Sequence, residues 1–85
     1  MKLFESIVNL KVNRITANEL REFAGQHGLT LSTTEAEEIT KLIRGKSINI
    51  FDQTERKQLL QKIEKITGTK KAQQIEKIFH SMTGV

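Results

Sequence analysis

The chain has 85 residues, 36% hydrophobic and 28% charged, with a formal net charge of +4, no cysteine and no proline. That length allows one small domain over residues 1–85, and the composition is globular rather than disordered. The absence of cysteine excludes a disulfide framework, a thiolate metal site and a cysteine nucleophile.

Leu3, Phe4, Ile7, Val8 and Leu10 follow helical spacing and predict a first helix over about residues 2–12. With Leu10 and Val12 flanking Leu3, Phe4, Ile7 and Val8, this helix is apolar over a wider arc than one buried face requires. The plainer reading is a central helix buried on both sides. The other leaves Leu3, Phe4, Ile7 and Val8 as a face for self-association or for a partner's groove. Glu5, Asn9 and Lys11 interrupt the segment, so it lacks the continuous apolar stretch of a secretory leader.

Ile15-Thr16-Ala17-Asn18-Glu19-Leu20 then reads as a complete helix start. Thr16 and Glu19 form a capping box, and Ile15 against Leu20 forms the hydrophobic staple. This second helix runs to about His27, where Gly28 suits the left-handed stop. Ser32 and Glu35 make a second box ahead of Ala36, Ile39, Leu42 and Ile43, with Gly45 as the stop. Asp52 to Glu55 is the third start, for a helix burying Leu59, Leu60, Ile63 and Ile66 and ending near Gly68. Thr69 is placed to cap a last helix bearing Ala72, Ile75, Ile78, Phe79 and Met82. The expected fold is all-α, a compact single domain of five short amphipathic helices.

Two connectors are not loop-like. Leu29-Thr30-Leu31 and Ile48-Asn49-Ile50-Phe51 alternate apolar and polar residues as extended segments do. Either residues 29–31 and 48–50 pair as a miniature two-stranded sheet, or both are extended connectors whose apolar side chains plug the core. An isolated two-stranded ribbon is marginal in stability.

Catalytic and metal-binding patterns are missing, and no enzyme activity, metal or cofactor is expected. His27 and His80 stand apart in sequence and read as ordinary surface histidines. Glu35, Glu37 and Glu38 lie in the first turns of a helix, where carboxylates favour the positive end of the dipole. The ligand pattern of a calcium-binding loop is absent from both loops. No apolar run approaches the roughly 18 residues that span a bilayer, so no membrane is expected as partner and the cytoplasm is the default location.

The charge excess is one-sided. Residues 1–45 carry six Lys/Arg against six Asp/Glu, whereas residues 46–85 carry eight against four. Lys57, Lys62, Lys65, Lys70 and Lys77 are the candidates for contact with an anionic partner. Against DNA readout by the second and third helices, Glu35, Glu37 and Glu38 would sit between phosphates and be repelled. With no Trp or Tyr, and with four Phe that read as core or rim, base-stacking platforms are also lacking.

The run ITANELREFAGQHGL, LS, EAEEITKLIRG and SINIFDQTERKQLLQKIEKIT resembles the YqfT-like family of small uncharacterised proteins from spore-forming Gram-positive bacteria. The resemblance extends from the first helix to Phe79. Its most distinctive stretch is Ile48-Asn49-Ile50-Phe51-Asp52, followed by Glu55-Arg56 and the Leu59-Leu60 helix. It implies a bacterial cytoplasmic protein and brings no catalytic residue, cofactor or partner with it. Two functions follow from the residues: a non-enzymatic protein–protein interaction module, with a protein partner or a second copy as occupant, or weak, sequence-independent nucleic-acid binding through the basic C-terminal helices.

Overall fold

A computed structural model of the protein describes residues 2–83, and of Lys2 only the backbone. Met1, Gly84 and Val85, at the ends of the expected 1–85 domain, lie outside the described residues. Five helices follow in order: α1 (Lys2–Asn13), α2 (Ala17–Gln26), α3 (Thr33–Ile43), α4 (Gln53–Thr67) and α5 (Thr69–Thr83).

The helix starts follow their caps. At α2 the Thr16 hydroxyl accepts from the Glu19 N–H at 3.2 Å, and the Glu19 carboxylate accepts from the Thr16 N–H at 3.0 Å. Ser32 and Glu35 repeat the arrangement at α3, at 3.0 and 2.9 Å. At α4 only half of it forms. Asp52 accepts from the Glu55 N–H at 2.9 Å, while the Glu55 carboxylate reaches past the cap to the Asn49 N–H at 3.1 Å.

The stops obey glycine geometry. Gly28 takes φ +78°, the Leu29 N–H donates to the Ala24 carbonyl and the Gly28 N–H to that of Gly25. These are the two bonds of a Schellman close. Gly68, at φ 90° and ψ 167°, is the single residue between α4 and α5. That tight junction changes one expectation. Thr69 is the first helical residue rather than the cap; its hydroxyl donates to Glu64 Oε2 at 2.8 Å, and the Gly68 carbonyl accepts the first α5 bond from Ala72.

All five helices feed one core, with Val12 from α1, Ala24 from α2, Ile39 and Ile43 from α3, Leu59 and Ile63 from α4, and Ile75, Ile78 and Phe79 from α5. The radius of gyration is 11.8 Å. Close packing joins α2 to α3, α3 to α4 and α4 to α5; α1 is not one of these tightly packed partners and rests on the body through Val8 and Val12.

There is no strand among the described residues, and residues 29–31 do not pair with 48–50. In the second connector the backbone groups are taken by side chains. Asn13 brackets Ile48: its Oδ1 accepts from the Ile48 N–H and its Nδ2 donates to the Ile48 carbonyl, both at 2.8 Å. One turn earlier, Asn9 Oδ1 accepts from the Ile50 N–H at 3.0 Å and Asn9 Nδ2 donates to Asn49 Oδ1 at 2.8 Å. From the other side, buried Arg56 donates to the Ile50 carbonyl at 2.9 Å. The first connector is held separately, by Arg21 Nε donating to the Leu31 carbonyl at 3.2 Å. Both segments are extended connectors, and Leu29, Leu31 and Ile50 plug the core at 3% exposure or less.

Candidate functional site

Asn9, Val12 and Asn13 turn one side of α1 inward, and helical geometry then fixes what the other side carries. Leu3, Ile7 and Leu10 fall on the face opposite Val12, and Phe4 lies beside them. Their exposures are 73%, 58%, 52% and, for Phe4, 54%. These are the exposed large hydrophobics among the described residues, and all four belong to one helix. The central, doubly buried α1 is therefore not what forms. Phe4 keeps partial cover from Phe51, edge to face at 6.5 Å between ring centres, so it is neither core nor merely rim.

Val8 parts company with the other three α1 residues singled out in the sequence. It is half-buried against the core, on the inward side. Leu10, which the sequence places only as a flank, joins the exposed strip in its stead. The strip is bounded at its C-terminal end by Lys11 and by exposed Arg14. Lys11 pairs with Glu19 at 3.2 Å, a contact at 73% and 45% side-chain exposure that contributes little. The Thr16 N–H and then Lys11 hold the Glu19 carboxyl below its ordinary value.

The candidate lysines are all exposed. Lys57 lines a shallow groove between α4 and α5 in the company of Glu64 and Glu76. Lys62 and Lys65 are exposed on α4, and Lys70 and Lys77, seven apart, share the outer face of α5. Lys71, which sequence reasoning passed over, is tied to Glu35 across α3 and α5 at 2.8 Å. That ammonium, with the Ser32 N–H, keeps the Glu35 carboxyl below the usual range.

The core encloses an apolar cavity of about 40 Å³ beside Leu20, Phe23, Leu31, Ile39 and Met82. It offers no polar partner to a water, and it is far below the roughly 300 Å³ at which ligand sites begin. Among the described residues no three His, Asp or Glu side chains converge on a metal-holding position, and no helix is long and apolar enough to cross a membrane. His27 packs its ring edge against Phe23 at 4.9 Å, and His80 Nε2 stands 4.0 Å from Glu76.

Sequence reasoning missed the inward half of α1. The Asn9/Asn13 pair at helical i, i+4 spacing was a usable signal: two amides on one face of an otherwise apolar helix need partners once buried. Buried Arg56 left no such mark, because a basic residue in the first turns of an amphipathic helix reads as surface.

Residues 1–83 match the family described as "Protein of unknown function (DUF2624)". The chain is similar to the Bacillus subtilis protein named "Uncharacterized protein YqfT", 36% identical over 83 residues that cover 98% of this chain and 99% of that one. No solved structure matches the chain.

Proposed function

The chain belongs to the DUF2624 family of proteins of unknown function, and for it we propose a non-enzymatic interaction module that docks a protein through the outer face of α1 in the bacterial cytoplasm. The observation that carries this reading is the concentration of exposed Leu3, Phe4, Ile7 and Leu10 on one helix, while the outer faces of α2 to α5 are polar. At about 200 Å² for a fully exposed large side chain, those four leave roughly 500 Å² of apolar surface in water. Covering it yields a gross gain near 12 kcal/mol at about 25 cal/mol per Å². Association itself costs on the order of 4–15 kcal/mol, so the net is a reversible, moderate interaction.

Support for the non-enzymatic part comes from the carboxylates. Glu19 and Glu35, whose pKa values are displaced, are occupied in caps and ion pairs rather than facing a cleft. Nucleic-acid binding through Lys57, Lys62, Lys65, Lys70 and Lys77 has no comparable observation behind it, and Lys57 shares its groove with Glu64 and Glu76. The test is a photo-crosslinking amino acid at Ile7, expressed in a bacterium that encodes the chain, with exposed Gln58 as the control position. A protein adduct specific to position 7 is expected; adducts equal at both positions, or none, refute the reading.

A further inference from the structure

We propose that the occupant of the α1 face is a second copy of the same chain, the two helices crossing antiparallel about a two-fold axis near Ile7; this rests on the reading of α1 as a docking face and names its partner. Leu3, Ile7 and Leu10 are spaced four and then three, which is the seam of two helices packed at a shallow angle. The seam lies on the side of α1 turned away from Val12, so pairing disturbs none of the contacts that hold α1 to the body.

Self-complementarity follows from what the rest of the surface lacks. Among the described residues no exposed large hydrophobic lies outside α1, so a second copy offers one matching surface, α1 itself. An interface in which the same patch meets itself is isologous and closes at two. Order along the seam is decided by charge. Lys11 and Arg14 stand at its C-terminal end; parallel copies would set these cations side by side, whereas antiparallel copies place them at opposite ends and set the two helix dipoles in favourable opposition. Two strips of roughly 500 Å² bury about 1,000 Å² together, the lower bound for a specific interface, so the dimer dissociates on dilution.

Sedimentation equilibrium from about 1 µM to about 500 µM tests this directly. The weight-average mass is expected to rise from 9.7 kDa toward twice that and no further. Ile7→Glu, at an exposed position, is expected to keep the circular dichroism of the parent and remain at 9.7 kDa throughout. Because the chain has no cysteine, Leu3→Cys and Leu10→Cys report orientation: mixed and oxidised, they are expected to cross-link to each other in preference to themselves.

A parent chain that stays monomeric over the range overturns the proposal, as does growth beyond the dimer or an unaffected Ile7→Glu dimer. Sedimentation of a monomeric chain with phosphatidylglycerol–phosphatidylethanolamine vesicles also overturns it and assigns the strip to lipid. The wider reading fails separately: a monomer that still gives a position-7 adduct with a different protein keeps α1 as a docking face, and a monomer with no adduct removes both.

Discussion

Replacing Asn13 by alanine tests the clamp that places α1. The side chain makes three hydrogen bonds, to the Ile48 N–H and carbonyl at 2.8 Å each and to the Asn9 carbonyl at 2.7 Å. The two bonds to Ile48 hold residues 35 positions apart. At about 1 kcal/mol net for each, Asn13→Ala costs about 2 kcal/mol; Ile48 is half-buried, so water takes part of the vacated role and the full penalty of an orphaned buried group does not apply. A chain of this length has roughly 4–13 kcal/mol in total, and the loss corresponds to a fall in melting temperature of about 8–16 °C. With no Trp or Tyr, urea unfolding followed by far-ultraviolet circular dichroism is the assay. Asn13→Asp keeps the acceptor for the Ile48 N–H but turns a carboxylate oxygen toward the Ile48 and Asn9 carbonyls, so at neutral pH it should cost at least as much as Asn13→Ala. A change of less than about 0.5 kcal/mol in Asn13→Ala would refute the claim that the amide bracket holds the segment.

Two further outcomes follow from the same geometry. The Lys71 ammonium and then the Ser32 N–H hold the Glu35 carboxyl below its ordinary 4.5, so the unfolded chain takes up that proton at higher pH than the folded one. The associated stability is fully present above about 4.5 and is lost as the pH falls through the folded value. Urea midpoints measured between about pH 7 and pH 3 should decline on the acid side, and Glu35→Gln or Lys71→Met should shallow the decline without removing it, because Glu19 carries a shift of the same sign. Two glycines should respond in opposite directions to alanine. Gly25 lies within α2 with nothing within 4 Å of an added Cβ, so Gly25→Ala should stabilise by about 0.5–1 kcal/mol. Gly68 is equally uncrowded but sits at φ 90° and ψ 167°, so Gly68→Ala should destabilise by about 1–3 kcal/mol through backbone strain; equal shifts at the two sites in a thermal melt would contradict this.

The helices were legible because their signals are local. The boxes at Thr16 and Ser32, the cap at Asp52 and the stops at Gly28 and Gly68 act within four residues, so sequence spacing locates them within a residue or so. Thr69 escaped because a one-residue junction leaves no position for a separate cap. The fate of residues 48–50 could not be read locally. Their partners, Asn9 and Asn13, are some 40 positions away, and an amide on a helix does not announce whether it will meet water or a backbone. The wide apolar arc of α1 was visible, but which side of it faces solvent is set by those same amides. Val8 and Leu10 exchanged places for that reason. The five lysines are exposed, as their place on the polar sides of α4 and α5 implied.

The asparagine side chains also make α1 readable from a distance. The amide protons of Ile48 and Ile50 are bonded to oxygens of Asn13 and Asn9 rather than to a ladder. Each therefore exchanges with deuterated solvent only when α1 lifts away or the connector itself opens. α1 carries its exposed strip on one side and those oxygens on the other, so anything that covers the strip slows its lifting. Protection at two buried-side amides thus becomes a gauge of occupancy on the outer face, one that needs no label and no change to the residues that would touch the partner.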